Sequence, residues 1–425
     1  MRHVALEWES KKMPERDASA APPQPMRAGA KAVIAICTTA YFLDGVVHTV
    51  MGPLAPSIAR GLELSNSELG PIFSANLIGQ MFGLILFPLA AARHGHRLIV
   101  VLTLTGFGLF QLGSALAQDG QQLFALRLLT GLFLGGALPS CLAMVTAAAP
   151  PHRRGFIITV LFTGYGAGCA IAGLVSLLFF LGGWQGAMAL TGGLCLLAAG
   201  VAARWLREPA VLEEEAAAPG TTPARIALEI VAPRYLLGTI MLWVLFISLL
   251  TISYCLNSWL PTLMVQVGRD PALASMSVSI FGLGGILAAL GVGALIDRFG
   301  PTVVLMTALA VSAGLLFWIG QVLATASVPL LMALLVTAGF FALGAYAGIN
   351  VVLASYYPHH LRALGIGITK SVGRVGTIIA PVLIGFALDA GMRETVVMSL
   401  FAIPALLAAG AIWMIARAQR GMAAT

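Results

Sequence analysis

Four ionisable residues stand inside long apolar runs of this chain: Asp44, Arg127, Lys370 and Arg374. A charge in such surroundings costs roughly 2.5 kcal/mol or more, so each needs a reason to be there. Three cations and one acid leave positive charge over, and buried charge must be paired. An anion arriving from outside the chain would neutralise it. Lys370 and Arg374 are four residues apart and share a helix face, so something negative is expected between or opposite them. The planar fork of Arg374 suits a carboxylate held by two hydrogen bonds, which Lys cannot reproduce. Arg127 and Lys370 have a plainer use as well, pairing with backbone carbonyls or snorkelling to a membrane surface.

Asp44 offers different chemistry. A carboxyl poised between desolvation and a nearby cation can take up and release a proton. The plainer alternative is a fixed ion pair with one of the basic residues. His48 lies one turn further on the same face and is a type that titrates near neutral pH, so it is either a second proton site or a hydrogen-bonded packing residue. Tyr165, Tyr254, Asn257 and Trp259 could supply flat apolar surface and hydrogen bonds to a ligand. Tyr and Trp equally mark membrane interfaces, and Trp259-Leu260-Pro261 could be a helix break.

The elements that hold these residues follow from composition. Of 425 residues 59% are hydrophobic and only 10% charged, against about 25% charged in soluble domains. A soluble enzyme, a secreted disulfide scaffold and a disordered chain are all excluded. A helix needs about 20 apolar residues to cross a bilayer, and twelve such runs are predicted. They span 32–56, 69–91, 98–117, 123–149, 156–181, 184–205, 235–266, 272–296, 301–323, 328–356, 364–388 and 394–416. A polar tail (1–31), a central linker (206–234, with Glu213-Glu214-Glu215) and a short tail (417–425) divide the chain into bundles at 32–205 and 235–416. The fold class is therefore all-α and membrane-embedded, two six-helix bundles.

Placing both termini in the cytosol leaves eighteen Lys and Arg on that side and three (Arg60, Arg269, Arg393) on the other. That asymmetry predicts the orientation and accounts for the net charge of +7 without nucleic acid. No cleavable leader is expected in the polar tail. The halves also repeat. Ala92-Arg93-His94-Gly95-His96-Arg97, after the second run, is echoed by Asp297-Arg298-Phe299-Gly300 after the eighth. Pro151-His152-Arg153-Arg154 is echoed by Pro358-His359-His360-Leu361-Arg362. Parallel repeats of this kind rock about a site at their interface.

The Asp-Arg-x-Gly-type loops, with the six-plus-six pattern, resemble the major facilitator superfamily. Leu43-Asp44-Gly45, the stretch Gly131 to Pro139, Ser258-Trp259-Leu260-Pro261-Thr262, and Tyr357-Pro358 through Gly373-Arg374-Val375-Gly376 are similar to its aromatic acid:proton symporter branch. The resemblance implies a transporter of the bacterial inner membrane that takes up a small, aromatic carboxylate with protons. Arg127, Tyr165, Asn257, Lys370 and Arg374 would handle the substrate, and Asp44 with His48 the proton. Arg93, Gly95, Asp297, Arg298 and Gly300 would form the gating loops. Two departures stand out: Val47 where the branch carries a second Asp, and Ala92 where the first loop carries an acid.

Five scattered cysteines (Cys37, Cys141, Cys169, Cys195, Cys255) form no metal or redox motif and read as packing residues. The glycine runs at 164–168 and 282–285 lie inside apolar runs, which suits close helix packing rather than phosphate binding. No enzyme, cofactor or metal is expected, with protons as the coupling ion, the lipid bilayer as surroundings and a monomer sufficient. A proton antiporter exporting its substrate, an uncoupled facilitator and a non-transporting sensor are the alternatives.

Overall fold

The computed structural model describes residues 29–150, 153–175, 182–209, 233–357 and 359–424. The tail before residue 29 lies outside the described residues, and the linker is described only at its two ends. In chain order the first half contains α1 (Ala30–Thr49), α2 (Met51–Gly61), α3 (Asn66–His94), α4 (His96–Ser114), α5 (Gly120–Ala148), α6 (Arg154–Val175) and α7 (Gly183–Trp205). The second contains α8 (Pro233–Gln266), α9 (Pro271–Phe299), α10 (Pro301–Val322), α11 (Val328–Tyr356), α12 (His359–Asp389), α13 (Glu394–Leu400) and α14 (Ala402–Ala424). Twelve of these helices are long and apolar enough to cross a membrane.

The first and last runs are each broken once, and proline accounts for both breaks. Proline has no N–H to give the carbonyl four residues back. Pro53 denies that bond to Thr49, the last residue of α1, and Pro404 denies it to Leu400, the last of α13. The break considered at Trp259-Leu260-Pro261 does not occur, because α8 continues through Pro261 to Gln266. Trp259 is instead buried, edge-on to Phe73 of the other half at 5.3 Å. The last helix runs on to Ala424, past the expected end at 416, with Arg417 lying over the Trp413 ring.

The internal repeat is visible in the backbone. Gly95 ends α3 with φ 83° and ψ 151°, and Gly300 ends α9 with φ 81° and ψ 151°. Each amide bonds back to the carbonyl four residues earlier. A side chain would strain that conformation, so the loop needs glycine in both halves. In the first loop the carboxylate of Glu208 accepts from the backbone of His96 at 2.6 Å and Arg97 at 3.1 Å, capping α4 from beyond the end of α7. Removing a cap of this kind costs about 1 kcal/mol. Glu208→Ala should therefore lower the melting temperature of the purified protein by a few degrees, with ligand binding unchanged.

Each half has its own apolar core, one around Phe107, Leu104 and Cys141, the other around Phe246, Leu309 and Ile349. A third cluster joins the halves through Phe73, Leu256, Trp259 and Phe281. All five cysteines are free, and all but Cys169 are fully buried, as packing residues would be. Outward faces carry exposed Ile85, Leu89, Leu383 and Phe386, the pattern of a bundle whose surroundings are lipid.

Candidate functional site

Between the halves lies a cavity of about 420 Å³. Aromatic rings supply much of its wall: Phe73, Phe162, Tyr165, Tyr254 and Tyr346. Tyr165 stacks on Tyr41 with ring centres 4.9 Å apart. The His48 ring meets Tyr254 edge-on at 5.0 Å. Asn257 also lines the cavity, its amide nitrogen donating to the Ser253 carbonyl at 2.7 Å.

Arg127 projects from α5 to the cavity wall and is 1% exposed. Its Nη2 donates to Gln111 Oε1 at 2.6 Å, Ser114 Oγ at 2.7 Å and Thr130 Oγ1 at 3.3 Å. All three acceptors are neutral, and Nε has no partner. A second tier fixes the orientation, since Gln111 Nε2 donates to Thr191 Oγ1 at 2.9 Å. The guanidinium is thus held rigidly in a dry wall, with its charge not neutralised by these partners.

Asp44 sits behind that wall, in α1. It is 1% exposed, does not line the cavity, and its Oδ1 has no hydrogen-bond partner. Arg374 reaches across the halves from α12, donating to Gln80 Oε1 of α3 at 2.6 Å. The position of the branch's second acid holds Val47, 1% exposed in the core of the first half. Lys370 is exposed and does not line the cavity. The polar residues therefore fall into two groups: Arg127, His48, Tyr165 and Asn257 line the cavity, whereas Asp44 and Arg374 do not.

Both described chain ends lie at one face of the bundle, because the crossings are even in number. At the opposite face the halves are tied together. The Asp389 carboxylate, at the end of α12, accepts from the Asn66 amide at 3.2 Å, its Nδ2 at 3.0 Å, and the Ser67 amide at 2.8 Å. Gln266 Nε2 adds a bond to Asn66 Oδ1 at 2.8 Å. A carboxylate on the amino end of a helix is favoured by the free N–H groups and the dipole there. Gly385 packs directly on the Asn66 backbone and Gly70 on Pro381, so side chains larger than hydrogen would hold the helices apart. On the other side of the cavity, lining residues Thr159, Phe162 and Thr163 are exposed. The conformation is closed at the far face and open at the face carrying the chain ends.

The expected gating residues lie at the open face. Arg93 is exposed, Arg298 lies over the Phe299 ring at 5.2 Å, Gly95 and Gly300 form the turns, and Asp297 falls in the last turn of α9. The tie at Asp389 was not anticipated, since nothing in sequence links it to Asn66. Opening the far face must break its three bonds. All three bonds are exposed to solvent, which screens them, so together they contribute about 1 kcal/mol. Asp389→Ala should therefore raise labelling of a Met51→Cys reporter by an impermeant maleimide, applied from the far side, by roughly fivefold. Unchanged labelling would mean that the tie does not hold the face shut.

Sequence reasoning also passed over Asn76, Gln80 and Gln111. Each is a buried amide inside an apolar run, and that type alone was the available signal.

Two matched six-helix halves, tied at one face and open at the other around an aromatic cavity, define a membrane transport protein rather than an enzyme. The chain matches the Major Facilitator Superfamily over residues 37–270 and 242–422, and it belongs to that family. It is 33% identical over 411 residues to the 4-hydroxybenzoate transporter PcaK of Pseudomonas aeruginosa, covering 89% of this chain and 91% of the relative. It is 30% identical over 408 residues to the gallate transporter of Pseudomonas putida, covering 89% of this chain and 90% of the relative. Among solved structures, a D-xylose-proton symporter superposes with a TM-score of 0.75 at 18% identity, over 91% of this chain and 98% of the other.

Proposed function

We propose that this carrier takes up an aromatic carboxylate together with protons by alternating access, from a plasma membrane in which both termini face the cytosol. The observation that carries the substrate reading is Arg127, a buried guanidinium on an aromatic wall whose hydrogen-bond partners are all neutral. A buried charge left unpaired is costly, and a substrate carboxylate would pair it. The rings of Phe162, Tyr165, Tyr254 and Tyr346 offer surfaces for a flat ligand. The transport of aromatic acids by the relatives supports the same reading.

Asp44 would carry the proton. Arg374, expected from sequence at the substrate, does not line the cavity and bonds Gln80 of the other half, so we assign it to the link between the halves. With Val47 in place of a second acid, Asp44 would work as the sole carboxyl of α1. Lys370, exposed one turn nearer the open face, would meet the anion on its way out. The excess of Lys and Arg on the side of the termini supports their cytosolic placement.

The charge on the ligand is the point to test. Purified protein should bind benzoate and should not measurably bind benzamide, which has the same ring and no charge. Equal binding of the two would remove Arg127 from the substrate site.

A further inference from the structure

His48 and Asn76 are a pair that the family signature does not explain. They come from α1 and α3, both line the cavity, and Asn76 Nδ2 lies 3.5 Å from His48 Nδ1. Asn76 is only 8% exposed, and its Oδ1 is buried without a partner. A buried amide oxygen with nothing to accept is a cost that a ligand can relieve. We infer that His48 and Asn76 form a subsite that reads a ring hydroxyl on the bound acid, a role that rests on the aromatic-carboxylate reading above.

The hydrogen-bond inventory fits a hydroxyl in particular. Asn76 Nδ2 can only donate, so Nδ1 of a neutral His48 accepts and the ring proton sits on Nε2. The pair then has donors left over, Nε2–H and the second Nδ2–H, and an acceptor, Oδ1. Turning the amide over exchanges the roles but again leaves both donors and an acceptor. A phenolic hydroxyl both donates and accepts, so it satisfies either arrangement. An unsubstituted ring satisfies neither and leaves the polar pair buried and unpaired, the situation in which sites discriminate most strongly.

The spacing fits as well. Gly131 of α5 packs on the backbone of Asn76, which sets Asn76 one turn, about 6 Å, along the bundle from Arg127. That separation is about the length of a benzene ring carrying a carboxylate at one end and a hydroxyl at the other. Tyr254, edge-on to His48, holds the imidazole in place beside the ring slot.

The test is equilibrium binding of 4-hydroxybenzoate and benzoate to the purified full-length protein and to Asn76→Leu and His48→Phe, each checked for a monodisperse elution profile. The wild type should prefer the hydroxylated acid by about tenfold or more, equivalent to about 1.4 kcal/mol. In both variants that preference should fall to within about twofold. If one variant fails to fold, the other carries the test, and Asn76→Asp, which retains an acceptor, should keep part of the preference. Equal binding of the two acids by the wild type would overturn the inference and leave the carboxylate reading standing. So would loss of both acids together in well-folded variants, or a shifted pH profile with the preference intact. Failure of the wild type to bind either acid would overturn the carboxylate reading and this subsite with it.

Discussion

Arg127→Gln should weaken binding of an aromatic acid by roughly 100-fold or more, because losing one partner of a buried, hydrogen-bonded charge pair costs about 2–5 kcal/mol. Gln ends two bonds short of Nη2, so the bonds to Gln111 and Ser114 go with the charge, and a monodisperse elution profile checks that α4 and α5 stay packed. Arg127→Lys separates charge from shape. It keeps the cation but has no planar fork, and it must give up part of the arrangement that holds Nη2 against three oxygens. Affinity should fall by about tenfold, between wild type and Gln. Titration calorimetry with a single acid ranks the three proteins directly. The order wild type, Lys, Gln follows from a carboxylate on the guanidinium, and equal affinities would refute that contact.

Asp44→Asn should have an equally large effect on a different quantity. The amide matches the neutral acid in shape and cannot release a proton. The variant should therefore lose gradient-driven accumulation completely while exchanging substrate at close to the wild-type rate. For one proton per substrate, a gradient of one pH unit supports about tenfold accumulation in the wild type and none in the variant. The split between accumulation and exchange distinguishes a proton carrier from a structural ion pair, whose loss would lower both. Asp44 is behind the cavity wall rather than on it, so ligand affinity should be kept.

Much of this molecule is legible in its sequence, and the gaps have physical causes. Twelve apolar runs predict the crossings because a bilayer demands length and apolarity of every one of them. The breaks in the first and last runs were not expected, because a proline does not by itself decide a break: the chain breaks ahead of Pro53 and Pro404 while α8 continues through Pro261. Paired Gly95 and Gly300 announce the repeat, and their matching backbone angles follow from it. The charges inside the apolar runs were conspicuous for the same reason as the helices, and of them Arg127 lines the cavity.

What sequence hid was pairing at a distance. Arg127 is anchored by Gln111 of another helix, and Arg374 by Gln80 of the other half. Asn76 and Gln80 were visible as polar residues in an apolar run, but an uncharged amide carries a weaker signal than an Arg. The placing of Arg374 on Gln80 and of Arg127 at the cavity is a matter of how the halves dock. So is the tie between Asp389 and Asn66, which are 323 residues apart. No periodicity or motif encodes such contacts.

The central claim is proton-coupled uptake of an aromatic carboxylate, and uptake into proteoliposomes tests it most directly. Labelled 4-hydroxybenzoate would be supplied with and without an inwardly directed proton gradient, to wild type and to Asp44→Asn. The account predicts accumulation above the external concentration only with the gradient, only in the wild type. Equilibration without accumulation in both proteins would contradict it and make the chain an uncoupled facilitator.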